Sequence, residues 1–369
     1  MSGLEELLSA ARKARTERPL VPMALATLYA VEGSSYRQPG ARLLVDAEGR
    51  VLAGAISGGC LEGDVALHAA SVSASGLARC LTYDLRDDLQ AIWGFGAMCN
   101  GVAHLLLEPL TELTWLERAC AVRRAREDGA LLTVIDESAA GGTCEWQACA
   151  PALRGASAAL VATAQRTAYP ARGDLTIDGR TCACLVDPLV PPVSLVLIGA
   201  GRGANAFANI AHTLGWRVTL IDHRPFVLQA VSVPDAVTRM VARADDGLSH
   251  VTGDGRTAVA LLSHQFAIDA EWLARLLPLP LGYIGVLGSR QRALELIDSL
   301  RTSGFDITPR MERVLHAPIG LDLGGESPES IALAAIAEIE AIVHGRPGGS
   351  LRERQSPIHT RSPTPLRPL

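Results

Sequence analysis

Two glycine-rich turns carry the residues of this chain best suited to chemistry. In the first, Gly54-Ala55-Ile56-Ser57-Gly58-Gly59-Cys60-Leu61-Glu62 runs into a predicted helix over Leu61 to Ala70, which puts Cys60 at a loop-to-helix junction. A helix N-terminus stabilises a thiolate, and the neighbouring Gly58 and Gly59 let a ligand approach closely. A small residue packed under the helix would fit the same position, and the residue types leave both uses open. The stretch Ala55 to Gly59 lacks the first glycine of a nucleophile elbow, so it does not describe a serine hydrolase.

The second turn, Gly199-Ala200-Gly201-Arg202-Gly203-Ala204, follows the apolar run Ser194 to Ile198 and opens a helical segment to Leu214. A further strand, Arg217 to Ile221, ends at Asp222, 23 positions beyond Gly199. Strand, glycine turn, helix, strand and terminal acid form the dinucleotide-fold fingerprint in its G-x-G-x-x-A form. Backbone N–H groups at Gly199, Gly201 and Gly203 face a helix N-terminus, where the phosphate of any ligand is stabilised. Asp222 either takes a ribose hydroxyl, as in dehydrogenases, or caps the next turn as a strand-end acid.

Later strands end in more polar turns. In Gly285-Val286-Leu287-Gly288-Ser289-Arg290, the pair Ser289 and Arg290 either faces the crevice of Gly201 or forms an ordinary turn with a surface arginine. Ser263-His264 likewise serves a ligand or loop hydrogen bonding. Cys144, Cys149, Cys182 and Cys184 contain no C-x-x-C pair, so a structural zinc is not expected.

These turns need elements to hold them. Leu4, Leu7, Leu8 and Ala11 have helical spacing, and Met23 to Val31 and Leu43 to Val45 read as strands around the polar loop Gly33 to Gly40. A hairpin turn over Asp46 to Arg50 returns the chain toward the first glycine turn, so loop and turn can meet across one sheet. Residues from about 81 to 108 read as more strands of that sheet. From about 111 to 190 the pattern yields a helix near Leu116 to Ala125, a strand near Leu131 to Ile135, then loosely patterned Ala, Gly and Cys. Asp187-Pro188-Leu189-Val190-Pro191-Pro192 is stiff and marks a boundary. Ala258 to Leu262 and Tyr283 to Leu287 continue a parallel sheet, and a last helix starts at Ser327-Pro328 and stops at Gly345. The expected class is α/β: a mixed N-terminal domain (1–186), a Pro-rich connector (187–193), a Rossmann-like doubly wound domain (194–346) and a disordered tail (347–369).

Composition bounds the function. The chain has 369 residues, 48% hydrophobic, and a formal net charge of −5, enough for two globular cores and without the basic footprint of a nucleic-acid or anionic-membrane binder. Its one lysine, Lys13, removes Walker A, kinase-type and pyridoxal Schiff-base chemistry. No apolar run of 18 residues occurs, Glu5 and Glu6 stand where a leader would be basic, and none of the eight cysteines lies beyond Cys184. A cytoplasmic protein is expected.

Several blocks together carry a resemblance. Gly33-Ser34-Ser35 with Pro39-Gly40-Ala41-Arg42, then Ile56 to Glu62, resembles the N-terminal domain of the XdhC/CoxI family. Gly199-Ala200-Gly201, Asp222-His223-Arg224-Pro225, Ser263-His264, Gly285 to Arg290, Pro318 to Gly324 and Ser327 to Ala332 are similar to its C-terminal part, in order. The resemblance implies an accessory protein, not a catalyst, for a xanthine dehydrogenase-type molybdenum hydroxylase. Such a protein binds the molybdenum cofactor (molybdopterin), supports its sulfuration with a cysteine desulfurase and passes it to apo-enzyme; a homodimer and a dinucleotide in the Rossmann domain stay open. On that basis Arg37, Ser57 and Glu62 offer a pterin its donors and acceptors, Cys60 is the metal-side ligand, and Gly199, Gly201, Gly203, Asp222, His264, Gly288 and Ser289 are further cofactor candidates. An NAD(P)-dependent oxidoreductase would use the Rossmann half alone, with His264 as its one obvious proton donor, and a regulatory nucleotide-binding module would use the same loop without chemistry.

Overall fold

A computed structural model describes residues 3–86, 101–136, 142–145, 156–177 and 180–355. The chain divides into two units, one ending at Pro191 and one beginning at Pro192. In the first, α1 (Gly3–Glu17) turns Leu7, Leu8, Ala11 and Ala14 inward, the stripe its spacing dictates. It is followed by β1 (Met23–Gly33), β2 (Arg42–Asp46), β3 (Val51–Gly54), α2 (Glu62–Ser75), β4 (Arg79–Asp84) and β5 (Gly101–Pro109). The strands make an antiparallel sheet in the order β3-β2-β1-β5-β4. Strand alternation sorts the side chains: Ala24, Ala26, Leu28, Leu43 and Val45 pack on Val65, Ala69 and Val72 of α2, while Leu25 and Leu44 meet α1. The predicted hairpin turn is present, with Asp46 accepting from the N–H groups of Glu48 and Arg50.

The loosely patterned stretch proves to be a second sheet. After α3 (Thr114–Ala125) come β6 (Ala130–Ile135), β7 (Gly142–Glu145), α4 (Ala156–Thr167), β8 (Ala171–Ile177) and β9 (Arg180–Pro188), with the antiparallel order β7-β6-β9-β8. Val161 and Ala164 of α4 cover one face, and Ile135 and Leu185 meet Tyr29, Ala30 and Leu106 of the first sheet. Asp187 and Pro188, expected in a connector, instead close β9. The Asp187 carboxylate accepts from buried Arg42 at 2.5 Å, which ties the two sheets together.

The second unit alternates strand and helix: β10 (Ser194–Ile198), α5 (Ala204–Thr213), β11 (Arg217–Asp222), α6 (Pro225–Ala230), β12 (Thr238–Val241), α7 (Ala244–Gly247), β13 (Thr257–Leu261), α8 (Phe266–Leu276), β14 (Tyr283–Val286), α9 (Arg290–Thr302), α10 (Pro309–Val314), β15 (Leu315–His316) and α11 (Pro328–Val343). All neighbouring strands are parallel, in the order β12-β11-β10-β13-β14-β15, the doubly wound Rossmann arrangement. Leu195 and Leu197 face α5 and α11, whereas Val196 and Ile198 face α8 and α9, so β10 is buried on both sides. The topological switch point falls between β10 and β13. The Pro318 to Gly324 segment is fixed by Glu338 of α11, whose carboxylate accepts from Gly320 N–H at 2.9 Å and from the buried Tyr283 hydroxyl at 2.5 Å. Ser327 caps α11, and Gly345 ends it at φ +61°. Within the expected tail, Leu351–Glu353 form a short 3-10 turn, and residues 356–369 lie outside the described residues. Among the described residues no helix is long and apolar enough to cross a membrane.

Candidate functional site

The first glycine turn is shaped by two side chains that consume each other. The Glu62 carboxylate, in the first turn of α2, accepts the N–H groups of Ile56 at 3.1 Å and Ser57 at 2.8 Å, and the Ser57 hydroxyl donates to its other oxygen. The Ser57 oxygen in turn accepts from Gly59 and Leu61 N–H, each at 3.1 Å, closing the turn just ahead of α2. Burial alone would raise the Glu62 carboxyl, but the bonds from Ser57 and Ile56 outweigh it and hold the group below its ordinary value. Ser57 and Glu62 are therefore spent on holding the turn.

What the turn presents is different. Gly59 adopts φ +112°, a conformation glycine takes without strain, and a Cβ there would meet nothing within 4 Å. Gly58, Gly59 and Gly63 are exposed, and the N–H groups of Gly58 and Cys60 find no acceptor among the described residues. Cys60 is a free thiol, half-buried at the edge of the core under α2. The loop before β2 reaches this turn: a Cβ on Gly58 would lie 3.8 Å from the Tyr36 ring. Tyr36 and Arg37 are exposed, with the Arg37 guanidinium 5.8 Å from the Tyr36 ring centroid. Loop and turn meet as their flanking strands predict. Loop and turn thus approach each other through Tyr36 and Gly58, with Arg37 next to Tyr36 on the loop and Cys60 two positions beyond Gly58, just before α2.

In the second unit the Rossmann turn packs against the loop after β13. Gly199 has φ +106°, its N–H donates to Ile221 at 2.8 Å, and a Cβ on it would stand 2.7 Å from Ser263 backbone. Only glycine fits there. Gly201 and Gly203 look into open space, with nothing nearer than Leu262 O at 3.9 Å from a Cβ on Gly201. A small pocket beside the turn, about 10 Å³ in volume, is lined by residues including Gly199, Asp222, His223, Arg243, Ser263 and Trp272. Asp222 is buried and engaged: it accepts from Ala200 N–H at 2.7 Å and from the Arg224 N–H and guanidinium at 2.8 to 3.0 Å. Burial pushes its carboxyl up, yet the Arg224 and Ala200 bonds keep it below the usual range. The strand-end capping use of Asp222 is thus the one the geometry displays.

The remaining expected residues are scattered. Ser263 donates to buried Asp269 at 2.5 Å, and Asp269 pairs with Arg292 at 2.7 Å. His264 is exposed at φ +57° and does not line the pocket. Gly288 and Ser289 do not line it either; the Ser289 hydroxyl accepts from Arg292 N–H at 3.2 Å as the N-cap of α9. Among the described residues no group of three His, Cys, Asp or Glu side chains could hold a metal ion. Cys182 and Cys184 lie in β9, the Cys184 thiol pushed up to about 12 by burial; Cys99 and Cys149 lie outside the described residues, as does the side chain of Cys144. Sequence reasoning passed over Tyr36, whose signal was an aromatic inside a polar loop, and over the pocket residues His223, Arg243 and Trp272.

A family model described as the XdhC and CoxI family matches residues 19–84, and one described as the XdhC Rossmann domain matches residues 195–339. A protein of Bacillus subtilis (strain 168), named as a probable xanthine dehydrogenase subunit, is 28% identical over 327 residues, 85% of this chain and 91% of its own length. Uncharacterized protein YqeB of Escherichia coli (strain K12) is 31% identical over 163 residues, 44% of this chain and 30% of its own. A solved structure described as a xanthine dehydrogenase from Bacillus halodurans is 26% identical, with a TM-score of 0.73 over 96% of this chain and 98% of that one.

Proposed function

We propose that this chain, which models of the XdhC and CoxI family and of the XdhC Rossmann domain match over residues 19–84 and 195–339, is an accessory protein for a xanthine dehydrogenase-type molybdenum hydroxylase. In this reading it binds the molybdenum cofactor, keeps it available for sulfuration by a cysteine desulfurase, and delivers it to apo-enzyme. The observation that carries the proposal is the Ser57–Glu62 clasp. By consuming each other, these two side chains leave the turn with groups that suit a ligand, the Cys60 thiol and the N–H groups of Gly58 and Cys60, with Arg37 on the loop whose Tyr36 reaches Gly58. Among the described residues no nucleophile, base and orienting group converge there, and such an arrangement suits a carrier better than a catalyst.

The donor set fits the group. When bound, the molybdenum cofactor supplies a metal whose ligands are soft sulfurs together with an anionic phosphate. Cys60 offers a soft donor, and Arg37 with the outward N–H groups offers charge-assisted hydrogen bonds to an anion. Exposed glycines admit it without steric conflict. Molybdenum analysis of protein purified from a molybdenum-replete host, with fluorescence of the oxidised pterin after denaturation, tests the proposal: both should be present in comparable amounts.

The glycine turn of the Rossmann unit carries a second reading, an NAD(P)-dependent oxidoreductase, although the pocket beside it has a volume of only about 10 Å³. Against it, the Asp222 carboxylate already accepts four hydrogen bonds, three of them from Arg224, so a ribose hydroxyl would have to displace one. Titration with nicotinamide dinucleotides separates the two readings.

A further inference from the structure

We infer that Tyr36 is the stacking face of the cofactor site and takes the flat ring system of a pterin. The inference rests on the carrier reading above and adds to it the residue that recognises the organic half of the ligand. Tyr36 is 67% exposed, so its ring is not used by the core. An aromatic left in water forgoes the burial that ordinarily accounts for its place in a fold, and it is recovered when a planar ligand covers the ring.

The position of the ring is set by the loop that carries it. At one end Gly33 turns at φ +72°, and Gly101 lies so close beneath Ser34 that a Cβ on Gly101 would stand 2.2 Å from the Ser34 carbonyl oxygen. At the other end Gly40 N–H donates to Leu28 at 2.8 Å, and the Gly40 carbonyl accepts from Arg42 at 3.1 Å. The tip, Tyr36 and Arg37, is therefore presented from two fixed ends. It rests over Gly58, two positions before Cys60. The glycines that follow are themselves uncrowded, since a Cβ on Gly59 or Gly63 would meet nothing within 4 Å. A bicyclic ring laid on Tyr36 takes the face over which the Arg37 guanidinium now stands, 5.8 Å from the ring centroid, so that Arg37 moves to the edge of the ligand. A pterin, planar and rich in hydrogen-bonding edges, meets that combination; an aliphatic ligand would leave the ring unused.

The test compares wild type, Y36F, Y36W, Y36A and C60S as full-length proteins purified alike from a molybdenum-replete host. Oxidised pterin per protomer is followed through equilibrium dialysis, with circular dichroism as a check of folding. Y36F and Y36W should retain pterin within about twofold of wild type, and Y36A should bind about tenfold more weakly, the scale of one base-aromatic stacking contact. Y36A retaining pterin as wild type does would overturn the stacking role while leaving the carrier reading in place. A wild type without pterin would overturn both.

Discussion

Ser57 and Glu62 are bonded to each other across the turn that holds Cys60, and between them they accept the N–H groups of Ile56, Ser57, Gly59 and Leu61. Two polar side chains that the sequence offers as ligand contacts are instead the frame of the site. Their loss should change the site through its shape.

E62Q replaces an ionised acceptor by an amide and should cost about 1 to 3 kcal/mol of stability, as for a hydrogen bond to a charged group. The Glu62 carboxyl is held below its ordinary value, so its contribution is present above the unfolded carboxylate pKa of about 4.3 and is lost as pH falls through the folded value. The stability gap between wild type and E62Q in urea unfolding should be widest near neutral pH and close on acidification below about pH 4. A gap independent of pH would mean that Glu62 is not ionised in the clasp.

In the Rossmann unit, two glycines of one motif should respond differently. G199A would place a Cβ 2.7 Å from Ser263 backbone at φ +106°, and a loss of about 2 kcal/mol or more is expected. Gly203 sits at φ −87° with nothing within 4 Å of a Cβ, so G203A should stay within about 1 kcal/mol of wild type. Thermal unfolding of the two variants decides it, and equal behaviour would contradict the packing described.

Breaking the Arg42–Asp187 pair should be costly. Arg42 is 6% exposed, and its Nε and one terminal nitrogen have no partner among the described residues, so D187A removes the carboxylate that offsets a buried charge. A loss of about 3 kcal/mol follows, enough to separate from the small effect of an exposed pair. Denaturant unfolding measures it, and a loss below about 1 kcal/mol would mean that this bond does not join the sheets.

Legibility in the sequence followed distance along the chain. Gly199 to Asp222 could be read because strand, turn and helix signals there are local, and the glycine need at 199 is imposed by the adjoining strand end. The engagement of Asp222 by Arg224, two residues on, was open to the same reading. The second sheet was not legible: β8 and β9 mix Ala, Gly, Cys and Thr without alternation, and Leu185 of β9 is buried against Tyr29 and Leu106, far away in sequence. The contact of Tyr36 with Gly58 spans two loops, and no local pattern announces it.

C60S should fold, because Cys60 is half-buried at a core edge and serine is nearly isosteric. It should retain less molybdenum per protomer than wild type, since a hydroxyl is a poor substitute for a soft sulfur donor. Equal metal content by elemental analysis would remove Cys60 from the site, and loss of soluble protein would assign it to packing.

The most direct test of the carrier role is a titration. Loaded protein is mixed with molybdenum-free xanthine dehydrogenase, and urate formation is followed against the ratio of the two. A carrier gives activity that rises in proportion to the loaded protein and saturates near equivalence. Activation of a large excess of client by catalytic traces, with sulfur donor and free cofactor present, would contradict it.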